Sequence, residues 1–236
     1  MLFSPLVSGL LNGTTIHLDL QNGMEKLKIS FALQSPLITN GGYMTLDGLL
    51  AALIFEQGGD LEKAHADIPL KNTNGLWHGS AAFIEKIDTE KKGFVANLHA
   101  GHDLDLDLVL KNKNGNVHKA IGLTRRRDYG AVFNSYRMYT ATEITWYATG
   151  HREQIQSLLS EVEFIGKRRA SGFGQVANLV IEGSDNDGVV GLFGEPLRPV
   201  PLEMFSGDKS SLRADAAWRP AYWHPMNRAV CYVPAQ

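Results

Sequence analysis

An α+β chain whose elements follow the order β-α-β-β-α-β is what this sequence predicts, on three observations. Leu27, Ile29, Phe31 and Leu33 alternate with more polar neighbours, the period of two that a half-buried strand requires. Leu46, Leu49, Leu50, Leu53 and Ile54 recur at three- and four-residue spacing, as on a helix that buries one stripe. A stretch dense in glycine and cations, Ile165 to Val176, separates a second amphipathic segment from a final strand-like run.

Taken in order, residues 1–23 read as an N-terminal extension with a short β-like piece, Thr14 to Leu20, and Met24 offers an alternative start. The first strand is expected over 24–34 and the first helix over 45–57. Thr45 is placed to cap that helix, Asp47 to complement its dipole from the first turn, and Gly58-Gly59 to end it. A second strand follows at 76–86, its small residues marking close packing, with His78 read as structural beside Trp77. Asp103, Asp105 and Asp107 share one face of a strand-like run near His99 and His102; period-two neighbours point in parallel, so a solvated face is preferred to a metal site. A strand at 139–149, a helix at 151–162 opened by His151 in a local capping or surface role, and a strand at 173–182 complete the order. It is the ferredoxin-like (RRM-like) arrangement, also used by RNA-recognition modules. A single domain over 24–236 is expected, with an insertion at about 87–138 and a tail at about 183–236. The prolines and aromatics of the tail argue against a long helix and for an extended segment pressed onto the domain.

Composition narrows the function. With 236 residues and a net charge of −2, the chain is not globally basic, so nucleic acid would have to meet a local patch. Such a patch exists: Lys111, Lys113, Lys119, Arg125, Arg126, Arg127 and Arg137 face only Asp128 in the same segment, with Tyr129, Phe133, Tyr136 and Tyr139 available for base stacking. Cys231 is the only cysteine, which excludes an intramolecular disulfide and a four-cysteine zinc site and fits a reducing cytoplasm. No apolar run approaches the roughly 18 residues that would span a bilayer. No cofactor or metal is expected, and no membrane partner.

The stretch IGKRRASGFGQV carries Lys167, Arg168 and Arg169 beside Gly166, Gly172 and Gly174. Glycines permit close backbone approach and the cations attract phosphate. It lacks the Gly-Lys-Ser/Thr ending of a nucleotide-binding loop, and no third glycine follows Gly172 and Gly174 at the dinucleotide spacing.

With that stretch between the second helix and the last strand, the chain resembles the RAMP superfamily of CRISPR-associated proteins, and within it the Cas five-type subunit of type IV CRISPR systems. The closer resemblance rests on Leu46-Asp47-Gly48-Leu49-Leu50, Arg125-Arg126-Arg127-Asp128, Phe164 to Arg169, Pro196-Leu197-Arg198-Pro199 with Pro201, and Pro220-Ala221-Tyr222-Trp223 with Cys231 and Pro234. It implies a noncatalytic subunit of a ribonucleoprotein effector complex that binds the five-prime handle of the CRISPR RNA, caps the backbone filament, and adjoins backbone and large subunits. It also leaves room for contact with target DNA. Lys167, Arg168, Arg169, Gly172 and Gly174 match the glycine-rich loop; Arg125, Arg126 and Arg127 match the basic insertion, beside which Tyr129, Lys111 and Lys113 join the RNA-binding set.

Two other readings compete. A metal-independent endoribonuclease would need a base and an acid, for which His78, His151, Tyr129 and Lys167 are available, though no two form a motif. A protein scaffold with incidental RNA contact would use the tail and helices for docking.

Overall fold

A computed structural model describes residues 23–39, 41–96, 113–115 and 132–235. Its first strand, β1 (Glu25–Leu33), turns its apolar alternation inward, so that Leu27, Ile29 and Phe31 are fully buried. After the kink at Gln34 to Pro36 the chain resumes as β2 (Leu37–Thr39). The helix α1 (Leu46–Gly58) begins where the spacing predicted and ends on Gly59, whose left-handed φ of 69° lets its N–H reach Phe55 O. A short helix α2 (Leu61–Ala66), absent from the sequence reading, is capped by Asp60, which accepts from Lys63 N–H at 3.1 Å.

The strand expected over 76–86 is divided. A small hairpin joins β3 (Asn72–Thr73) to β4 (Leu76–Trp77), and β5 (Phe83–Ala96) starts only after a break. In the break Ser80 N–H still donates to Tyr147 O of the later partner strand, but Ala81 N–H turns to Leu197 O and Ala82 N–H to Met44 O, each at 2.8 Å. Gly79 sits where a Cβ would meet Leu70 Cδ1 at 2.8 Å, so the small residue does mark close packing.

Beyond the break β5 runs antiparallel to β6 (Val132–Gly150), and residues 87–96 and 132–138, expected within the insertion, belong to these paired strands. Then come α3 (Arg152–Leu159), which ends earlier than the expected 162, and β7 (Val176–Gly183). The sheet is antiparallel throughout: β7 pairs β1, β1 and β2 pair β6, and β6 pairs β5. α1 and α3 cover one face, where Leu27, Ile29, Phe31, Leu37, Leu46, Leu50, Ile144, Trp146, Ile155 and Leu159 form the main core. Fully burying each such side chain contributes about 1.5–3 kcal/mol. The other face carries a polar set, in which Ser30 Oγ lies 2.9 Å from Thr145 Oγ1 and both hydroxyls reach Glu143 Oε1.

The tail is not simply extended. β8 (Val200–Pro201), β9 (Arg213–Ala217) and β10 (Arg228–Tyr232) form an antiparallel sheet with β10 in the middle. It has its own packing, Phe205 against Tyr232 at 4.6 Å between ring centroids. The tail holds no long helix, as expected, only a short 3₁₀ turn at Pro225–Asn227, and Pro201 pairs opposite Cys231 in a strand. Among the described residues no helix is long and apolar enough to cross a membrane.

Candidate nucleic-acid interface

The glycine-rich stretch is built as a loop laid along the outer edge of β2. Phe164 and Gln175 form a bridge at its base, and Ile165 N–H donates to Gly174 O at 2.8 Å. From there Gly174 N–H reaches Pro36 O at 2.9 Å and Lys167 N–H reaches Ile38 O at 2.8 Å, so two carbonyls of the kinked strand anchor the loop. This tight course needs glycine at two places. Gly174 has φ +72° and a Cβ there would collide with Ile165 O; Gly166 has φ +80° and a Cβ there would meet Ile38 O. Gly172, also left-handed at φ +82°, has open space where a side chain would go. Arg168 adopts the left-handed region without being glycine, at φ 61°, and this turns its side chain back over the sheet.

Register fixes what lies beneath. Leu37 pairs Tyr139 and belongs to the core, so Tyr139 is on the helix side; Tyr136, three residues away on a regular stretch of β6, lies on the opposite face. Lys92 pairs Tyr136 and Phe94 pairs Asn134, which puts Phe94, Lys92 and Tyr136 on that same open face. The loop folds over them. The Arg168 guanidinium is 4.6 Å from the Phe94 centroid and 5.4 Å from Tyr136, and Lys167 Nζ is 5.6 Å from Tyr136. Phe173, from the loop itself, meets Phe94 edge-on at 5.8 Å. The structure thus brings Lys167 and Arg168 together with Tyr136, which the sequence assigned only to a general supply of rings, and with Phe94, which it did not single out.

The third cation of the run departs. Arg169 starts a short 3₁₀ turn, Arg169–Ser171, and approaches Glu56 of α1 at 3.7 Å between two exposed side chains. Lys113 is exposed in a turn with Asn114 and Gly115. Lys111, Arg125, Arg126, Arg127 and Tyr129 lie outside the described residues, as do Asp103, Asp105, Asp107, His99 and His102, and the piece from Thr14 to Leu20.

Of the candidate acid-base residues, His78 is held in other work. His78 Nε2 is 2.9 Å from Thr73 Oγ1 and its Nδ1 is 3.7 Å from Asp187 Oδ2. Burial holds its pKa below the usual histidine value, against the opposing pull of Asp187. Asp187 Oδ1 meanwhile accepts from Val189 and Val190 N–H, so the trio ties the β3–β4 hairpin to the turn after β7. His151 precedes α3 as its cap residue but makes no side-chain cap bond. Burial pushes the Cys231 thiol up to about 11, which leaves it unionised at neutral pH.

One feature was missed from the sequence. Asp47 is fully buried and is not a dipole-complementing surface acid: its Oδ2 accepts from Arg198 Nη2 at 3.2 Å and from the Tyr222 hydroxyl at 2.6 Å. Arg198, also fully buried, donates further to Trp77 O, Gly79 O, Trp218 O and the Tyr222 hydroxyl. Burial disfavours its charge, but Asp47 and Tyr222 outweigh that and raise its pKa; burial drives the Tyr222 phenol well above its ordinary value. Thr45 makes no side-chain cap bond, and the predicted cap is therefore positional only. Leu46-Asp47, Leu197-Arg198 and Ala221-Tyr222, from three of the segments that carry the family resemblance, converge on this one network, which is structural.

Comparison with known proteins places these features in context. The family model described as CRISPR type IV associated protein Csf3 matches residues 25–234. No curated protein matches. A chain in the cryo-EM structure of the Type III-B Cmr-beta bound to cognate target RNA is similar at 8% identity and a TM-score of 0.37, over 77% of this chain and 68% of that one.

Proposed function

The chain belongs to the Csf3 family of type IV CRISPR-associated proteins, and from that premise we propose that it is a noncatalytic subunit of a type IV ribonucleoprotein effector complex. In this reading it binds the five-prime handle of the CRISPR RNA in the cytoplasm and caps the backbone filament, beside backbone and large subunits. The observation that carries the reading is the placing of Lys167 and Arg168 over Phe94 and Tyr136 on the sheet face that the helices leave open. Cations that follow a phosphate backbone beside rings that stack bases are what single-stranded RNA requires, and here the two rings are half-buried beneath the cations. A ferredoxin-like, RRM-like fold is supported by the strand order β7-β1-β6-β5, in which the first and third long strands are central.

The test is the affinity for CRISPR RNA carrying its handle, measured across salt. Replacing Lys167, Arg168 and Arg169 together by alanine should weaken binding and flatten the salt dependence by about 0.7 in logarithmic slope for each phosphate no longer neutralised. An unchanged slope would remove RNA binding from this loop. Cleavage of repeat RNA in the presence of chelator, abolished in a His78 or His151 variant, would overturn the noncatalytic assignment.

A further inference from the structure

On the helix side of β6, at the end of β2, a cavity of about 170 Å³ opens between β5, the 41–44 segment and the C-terminal residues. Its walls include Tyr43, Phe83, Tyr139 and Pro234, with Lys86 at the rim, where Nζ stands 5.2 Å from the Tyr139 centroid. Tyr139 is 6% exposed and fixed by strand pairing, so this is a preformed wall and not a surface ring.

We propose that this cavity takes one uracil base, unstacked from the RNA that Lys167 and Arg168 hold; the inference rests on the RNA-binding reading above. Size is the first reason. A dry cavity of about 150 Å³ admits one benzene ring, so the volume here suits a single six-membered ring, and a fused purine would protrude. Chemistry is the second. A pyrimidine with two carbonyl groups needs donors, and the Lys86 ammonium is a donor only, while the Tyr43 hydroxyl has no hydrogen-bond partner within the described residues. Burial raises the Tyr43 phenol pKa, which keeps it a donor. Position is the third. Thr39 lines the cavity and follows Ile38, the residue whose carbonyl anchors Lys167 N–H at 2.8 Å, so the phosphate-facing loop and the cavity lie on opposite faces of the sheet at the same short strand, and RNA held by the loop reaches the cavity by passing around that strand. Finally, Gly42 borders the cavity, and a Cβ there would meet nothing within 4 Å among the described residues. Packing does not demand glycine at that position, whereas an entering ring needs the space.

Fluorescent octamers of uridine, cytidine and adenosine, titrated against the full chain, test this. The wild type should prefer the uridine octamer, and Gly42→Leu, which fills the mouth without disturbing the packing, should lower its affinity on the order of 5- to 150-fold, the worth of one base stack. The preference should vanish while the melting temperature holds. Lys86→Ala, an exposed change, should lower uridine affinity in the same direction, and a 4-thiouridine octamer should crosslink to peptides containing Tyr43 or Tyr139. If Gly42→Leu and Lys86→Ala leave uridine binding untouched while Lys167→Ala with Arg168→Ala still weakens it, the cavity assignment falls and the RNA reading stands. If no octamer binds the wild type, both fall. Unchanged RNA affinity in Gly42→Leu with loss of a partner subunit would overturn the assignment in favour of a protein side chain.

Discussion

Arg168 and Arg198 each lie against a tyrosine, and the contrast between them separates what this protein uses to stand from what it offers to a ligand. Arg198 is fully buried, its charge met by Asp47 at 3.2 Å and its Nη1 and Nη2 hydrogens taken by backbone carbonyls and the Tyr222 hydroxyl, with Nε left without a partner among the described residues. Arg168 lies over Phe94 and Tyr136 and has no carboxylate partner among the described residues. A cation whose counter-charge is supplied internally has nothing left for an incoming phosphate; one stacked on rings is oriented but not neutralised. Arg169, loosely paired with exposed Glu56 at 3.7 Å, falls between the two.

The largest expected effect breaks the buried side of the contrast. Asp47→Ala should destabilise the fold by about 3–5 kcal/mol, read by chemical denaturation, because it strands the Arg198 charge inside the protein. A loss under about 1 kcal/mol would mean that water or a rearranged tail relieves it. An intermediate effect is expected at His78, a largely buried ring that the fold favours in its neutral form. Its pKa is lowered in the fold, so in the window below about 6.5 the unfolded chain binds more protons than the folded one. Stability contributed by the neutral ring is therefore complete above that value and declines as pH falls through it. His78→Gln should flatten the denaturation midpoint between pH 7 and 5, and an unchanged slope would show that the ring titrates freely. The smallest effect belongs to the ligand-facing side. Arg168→Ala should cost only about 0.5–2 kcal/mol of stability, the worth of a half-buried cation–π interaction. A cost near that of Asp47→Ala would erase the distinction between the two arginines.

Much of the fold was legible because its signals are local. The alternation of Leu27, Ile29 and Phe31 and the stripe of Leu46 and Leu50 marked β1 and α1 almost to the residue. The glycine-rich stretch was also visible as a loop, since left-handed glycines between a helix and a strand admit little else. The division of the second strand was not, because what interrupts it is Leu197 O and Met44 O, partners from distant parts of the chain. Asp47 misled for the same reason. A carboxylate in the first turn of a helix reads as a dipole partner, and the arginine that claims it lies 151 positions away. Equally, nothing local in Lys167-Arg168-Arg169 tells that two of these cations cross to the aromatic face while the third returns to α1.

The Asp47–Arg198–Tyr222 network also imposes an order in time. A ribosome delivers Asp47 early, and its hydroxyl partner follows only 175 positions later, behind Arg198 and most of the tail sheet. Until Tyr222 has emerged, the start of α1 holds a carboxylate that the finished core will seal from water, and the helix cannot settle fully against the strand break at 78–82. Closure of this buried centre thus waits for the segment that carries Tyr222, and a chain made only as far as Arg198 differs from one that includes Tyr222 at its centre.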